Sequence, residues 1–171
     1  QLSSLLKHYP RGRLSEAEKL ATSIIHEFPS HNFSWKVLGA VFKATGRNSE
    51  ALNASQTAVA LSPQDAQAHC DLGITLQELG RLEEAEASYK QAIALKPDYA
   101  EAHSNLGVML QELGRLEEAE ASYKQAIAFK PDYAEAHSNL GNTLQKLGRL
   151  EEAKASFTQA IAFKPDYAEA H

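Results

Sequence analysis

The chain has 171 residues, 43% of them hydrophobic, and carries a formal net charge of -5 at pH 7. That length predicts about one domain of globular material, and the acidic balance argues against the basic surface that draws proteins to nucleic-acid phosphates or anionic lipid. A single cysteine, Cys70, precludes an intrachain disulfide framework and leaves the compartment open, with a reducing cytoplasm as the default, and no apolar run approaches the roughly 18 residues of a membrane span.

Pro29, Pro63, Pro97, Pro131 and Pro165 fall 34 residues apart, and Gly12, Gly46, Gly80, Gly114 and Gly148 keep the same step. A fixed period of this length marks a repeat array and governs how every local pattern is read. In chain order the array comprises a degenerate unit over 1–31, full units over 32–65, 66–99, 100–133 and 134–167, and the start of a further unit at 168–171. Gln1 opens neither a basic leader nor an initiator methionine, so the chain reads as a soluble fragment of a longer protein.

The unit over 100–133 shows the plan most clearly. Ala102, Leu106, Met109, Leu110 and Leu113 recur at helical spacing and predict a first helix, A, over 100–113. Leu116, Ala119, Tyr123, Ala126 and Ile127 predict a second, B, which Pro131 terminates because proline cannot continue a helix. Gly114 falls where a helix end turns left-handed, and Asp98 with Glu101 has the spacing of a capping box, repeated in Asp132 with Glu135 and Asp166 with Glu169. Gly107, in mid-helix, should cost about 1 kcal/mol relative to alanine. Its recurrence as Gly39, Gly73 and Gly141 predicts a neighbour packed too close for a Cβ.

Trp35, Leu38, Gly39, Phe42, Ala51, Ala58 and Pro63 resemble the tetratricopeptide repeat, a 34-residue helix-turn-helix unit. Leu72, Gly73, Ala85, Tyr89, Ala92 and Pro97, and then Leu106, Gly107, Ala119, Tyr123, Ala126 and Pro131, keep the pattern. Histidine replaces the tryptophan at His69, His103, His137 and His171, and leucine replaces the tyrosine at Leu76, Leu110 and Leu144, all on the packing side. The resemblance implies an all-α, right-handed superhelix, an α-solenoid of stacked helix pairs with an extended concave groove lined by A helices.

Once the apolar stripe is assigned, Glu101, Ser104, Asn105, Val108, Gln111 and Glu112 form a second stripe along helix A and should face that groove. Through the array this gives Asp71, Asn105 and Asn139 at one level and Gln77, Gln111 and Gln145 at another, with Glu101 and Glu135 nearby. An asparagine amide both donates and accepts, so such a ladder can pair with the backbone of an extended peptide. It resembles the asparagine ladder of O-linked N-acetylglucosamine transferases; a solvated face would look the same in sequence. The first full unit presents Phe33, Lys36, Val37, Ala40 and Lys43 instead, either a side-chain pocket or an end unit packed against its neighbour. At the positions of a chaperone-tail carboxylate clamp the chain offers Lys36, Ala40, Asp71, Glu101 and Asn105, and the two acidic groups there would repel a terminal carboxylate.

Other constellations carry no chemistry. The histidines in register sit on helices expected about 8 to 10 Å apart, too far to share a zinc ion, and read as flat replacements for tryptophan. Cys70 takes the place of Ser104 and Ser138 and reads as a small packing residue, and Glu84, Glu86, Ser88 and Lys90 read as a solvated helix face. No glycine-rich phosphate loop is present, and no metal or cofactor is expected.

The sequence therefore predicts a non-catalytic protein-interaction scaffold that binds an extended protein or peptide segment, with no nucleic-acid or membrane partner. Two alternatives stand beside it: the substrate-recruiting arm of a larger glycosyltransferase, sulfotransferase or oxygenase, and an RNA-binding helical repeat. Because the chain stops four residues into a further helix A, Ala153, Phe157, Ala160 and Ile161 are expected to keep apolar surface open and to promote self-association.

Overall fold

In the computed structural model, residues 14–164 are described, and among them every regular element is helical. The helices are α1 (Leu14–Glu27), α2 (Asn32–Ala44), α3 (Asn48–Leu61), α4 (Ala66–Glu78), α5 (Leu82–Leu95), α6 (Ala100–Glu112), α7 (Leu116–Phe129), α8 (Ala134–Lys146) and α9 (Leu150–Phe163). None is long and apolar enough to cross a membrane. The backbone divides into two compact units, 1–95 and 96–171. The residues at 1–13 and 165–171, including Gly12, Asp166, Glu169 and His171, lie outside the described range.

In the first unit α2 packs on α3 and α4 on α5, α1 and α3 pack on the helices that follow them, and α2 also meets α4. The second unit repeats the scheme, with α6 on α7, α7 on α8, α8 on α9, and α6 against α8. Within each unit an A helix thus touches its own B helix and the neighbouring A helix, and the B helix between two A helices packs on both, the arrangement by which short helix pairs bury faces that none could bury alone.

Four glycines make the turns between A and B helices, at φ of 73° for Gly46, 72° for Gly80, 74° for Gly114 and 77° for Gly148. At Gly114 the turn is closed by the Arg115 amide donating to the Leu110 carbonyl at 2.9 Å and the Gly114 amide donating to that of Gln111 at 3.1 Å. This Schellman pattern satisfies carbonyls that the helix end would otherwise leave unpaired. The mid-helix glycines are explained by packing. A Cβ on Gly107 would stand 2.7 Å from Tyr123 Cε1, one on Gly73 the same distance from Tyr89, and one on Gly141 the same distance from Phe157. In these pairs the ring from helix B lies flush on the backbone of helix A.

Histidine does replace tryptophan in kind. His69, His103 and His137 each place Nε2 2.9 Å from the carbonyl of Pro63, Pro97 and Pro131, and Trp35 Nε1 donates to the Pro29 carbonyl at 2.7 Å. Since a carbonyl only accepts, the imidazole donates through Nε2, tying each A helix to the proline turn before it. Leu76, Leu110 and Leu144 are buried, as the packing side requires.

Several expectations need correction. Asp98 and Asp132 do not occupy the cap positions of α6 and α8; these are Tyr99 and Tyr133, without a side-chain cap bond. The equivalent position before α4 is Asp65, whose carboxylate accepts from the amides of Gln67 and Ala68. Leu113 is 41% exposed, beyond the end of α6 rather than on its apolar stripe. Ser88 is buried and donates to the Glu84 carbonyl, so the face around it is not wholly solvated. The same holds for the buried Glu120, which takes Lys124 Nζ and Arg149 Nη1 at 2.7 Å each. The hydrogen bond from Lys124, with that from Arg149, outweighs burial and holds its carboxyl below the usual range.

Candidate functional site

In the first unit, two of the residues predicted to line a pocket belong to the core. Val37 joins Ala17, Ala21, Ile24, Leu38, Val41 and Ala54 in a buried cluster, and Phe33 packs against it. Helix α1 supplies Ala17, Ala21 and Ile24, so the apolar character of the first full unit reflects a neighbour at its side. Lys36, Ala40 and Lys43, one helical turn apart on α2, do line a small cavity together with Gly39, Ser55, Ala58, Ala68, Asp71 and Thr75.

Lys36 and Lys43 are both engaged. Lys36 Nζ lies 3.0 Å from Asp65 and 3.4 Å from Gln67 Oε1, and Lys43 Nζ lies 3.9 Å from Glu78. Asp71, on α4, is different. Burial pushes its carboxyl up to about 6 against the opposing pull of the Lys36 and Lys43 charges, and Asp65 adds to the rise. Among the described residues none donates a hydrogen bond to that carboxylate, although the Thr75 hydroxyl donates to the Asp71 backbone carbonyl.

Gln77, at the next level of α4, accepts from the Tyr89 hydroxyl at 2.9 Å. The second unit builds the same feature: Gln111 Oε1 accepts from Tyr123 at 3.3 Å and from Thr143 at 3.0 Å. These bonds hold the glutamine amides from within the fold. Sequence reasoning missed them because glutamine and tyrosine stand 12 positions apart, on helices joined by a turn, so no single-helix period connects them. Gln145 faces Phe157 at the matching position, which has no hydroxyl to offer, and is exposed. Burial, with the nearby charges of Glu112 and Glu135, raises the Tyr123 hydroxyl well above its ordinary range, so it remains a donor.

Asn105 on α6 and Asn139 on α8 hold the same repeat position on helices that touch, and both are partly buried. Glu101 and Glu135 are exposed at the starts of these helices, and Glu101 lies 3.7 Å from Lys130. Val108 is partly buried, whereas Ser104 is 2% exposed and belongs to the core rather than the groove stripe. Cys70, at the position equivalent to Ser104, is likewise buried.

At the far side of the second unit, of the four residues expected to keep apolar surface open, Ala153 and Ala160 are buried at 3%, whereas Ile161 is 45% exposed and Phe157 partly so. Leu150, 63% exposed, borders an open hollow with Ile161, Phe157, Gln145, Lys154 and Thr158.

No curated protein sequence matches the chain. Solved structures do match its fold. A thermophilic TPR protein in Thermus thermophilus is 28% identical, with 98% of this chain and 92% of that chain covered at a TM-score of 0.81. A structure of MamA is 23% identical over 95% of each chain at 0.80. PilW, a type IV pilus biogenesis factor, is 22% identical over 94% of this chain and 74% of its own at 0.87. Models of the TPR repeat match residues 39–80, 75–114 and 109–148, and a model of the tetratricopeptide repeat matches 134–167. With the spacing of its glycines and prolines, its helix pairs and these matches taken together, the chain belongs to the tetratricopeptide repeat family.

Proposed function

We propose that the chain is a non-catalytic interaction scaffold whose A helices bind an extended peptide segment through its backbone. The observation that carries this reading is the pairing of Asn105 with Asn139. They are partly buried amides at one repeat position on touching helices, beside a Gln111 held by Tyr123 and Thr143. A carboxamide can match both the N–H and the C=O of a passing strand, and holding the glutamine from behind removes part of the ordering cost of binding. The test is calorimetry with a peptide recovered from a displayed library. Replacing both asparagines with alanine should weaken binding by about 1 to 3 kcal/mol. Unchanged affinity, with helicity intact by circular dichroism, would remove the ladder from the account.

A second reading, self-association, has its own observation. α7 reads LEEAEASYKQAIAF and is covered by α8, which leaves Tyr123 fully buried. α9 reads LEEAKASFTQAIAF, yet its equivalents Leu150 and Ile161 stand exposed and Phe157 partly so. The occupant we propose for this apolar face is the same face of a second copy, since apolar area buried at roughly 25 cal/mol per Å² favours closing it.

A further inference from the structure

The cavity between α2 and α4 places a carboxylate with no hydrogen-bond donor among groups whose charges are already matched. Lys36 is committed to Asp65 and Gln67, and Lys43 is paired with Glu78. Two ammonium groups stand against the carboxylates of Asp65, Glu78 and Asp71, which leaves the cluster one negative charge in excess when all are ionised. The walls facing Asp71 from α3 are Ser55 and Ala58, which bring no charge. Gly39 and Ala40, both small and uncharged, complete the α2 side of the lining. The repeats that follow hold an asparagine at this position, which can both donate and accept. Asp71, when ionised, can only accept.

From this arrangement, and resting on the peptide-binding reading above, we infer that the α2–α4 cavity is a specificity pocket that takes a lysine or arginine side chain of the bound segment, with Asp71 as its counter-ion. An incoming acidic side chain fits the pocket poorly. It would have to displace Asp65 or Glu78 from the lysines and stand beside Asp71, and like charges this close repel strongly where water is scarce. An incoming ammonium or guanidinium supplies the donor that Asp71 lacks and cancels the excess charge. Such charge-assisted bonds are the strong ones. The pocket would thus fix the register of a segment that backbone pairing alone leaves free to slide.

The probe is a library of displayed random twelve-residue peptides, selected at pH 7.5 against the full chain and against Asp71→Asn. Peptides recovered with the unaltered chain should share one lysine or arginine, and replacing it with norleucine should cost about tenfold or more in affinity. Asp71→Asn should lose the preference for that residue while still binding peptides. Affinity of a basic peptide for the unaltered chain should fall as the pH drops through about 6, where Asp71 takes up a proton, and stay flat for Asp71→Asn. Peptides that depend on Asn105 and Asn139 but share no basic residue would overturn this inference and leave the peptide-binding reading standing. Selected peptides that share an acidic residue dependent on Lys36 would overturn it in favour of the opposite charge. Failure to recover any peptide would overturn both readings.

Discussion

Gly107 and Gly39 occupy one repeat position, yet their surroundings set opposite expectations for a methyl group. At Gly107 the new Cβ would meet an aromatic ring at 2.7 Å, and Tyr123 is fully buried with its hydroxyl tied to Gln111, so the ring has nowhere to go. Gly107→Ala should destabilise the fold by about 1 to 3 kcal/mol despite its better helix propensity. At Gly39 the nearest atom is Ser55 Oγ at 3.1 Å, the end of a small side chain, and the gain in propensity offsets the crowding. Gly39→Ala should stay within about 1 kcal/mol of the unaltered chain, and paired urea titrations of the two variants check the contrast. Asp71 sets a different expectation. Burial raises its carboxyl to about 6, so the folded state holds this proton more tightly than the unfolded chain does. Its contribution to stability is greatest at low pH, declines as the pH rises from about 4 to about 6, and is flat above that. Melting curves of Asp71→Asn should lose this step and give a higher melting temperature than the unaltered chain at pH 7.

The helices show what the sequence discloses and what it hides. Their order and most of their limits follow from apolar spacing punctuated by Gly46, Gly80, Gly114 and Gly148, because a left-handed turn nearly demands glycine and leaves a visible mark. The start of each A helix is harder to read. Asp98 and Asp132 carry capping-box spacing, but the chain enters the helix one residue later, and among the described A helices only that of Asp65 has an aspartate whose carboxylate reaches the free amides. One position along the backbone separates a cap from a surface aspartate, and composition does not resolve it. Asp65→Ala should therefore cost about 1 to 2 kcal/mol, through the lost cap and the stranded Lys36, while Asp98→Ala should stay within about 0.5 kcal/mol. Thermal unfolding of both variants is the check. The glutamine–tyrosine link and the burial of Glu120 were hidden for a related reason, since each depends on how one helix meets another.

At the scale of the whole molecule, the family is legible because a repeat states its packing rule several times, and the period survives the exchange of tryptophan for histidine that the Pro97 and Pro131 carbonyls accept. The surface is less legible, since packing constrains it weakly: Ser104 and Val37 proved to be core and Leu113 surface. If α9 pairs with its copy, light scattering should show an apparent mass that rises with concentration, and Ile161→Glu should suppress the rise; a constant monomer mass at millimolar concentration would remove that reading. The central claim is that the A helices hold a peptide by its backbone, and the side-chain amide resonances of Asn105 and Asn139 report on it most directly. On adding a library-selected peptide, both amide pairs should shift in nuclear magnetic resonance spectra and saturate with the calorimetric affinity, while the exposed Glu117 and Lys124 of α7 stay unmoved. Saturating shifts confined to the B helices, with both asparagine amides unchanged, would contradict it.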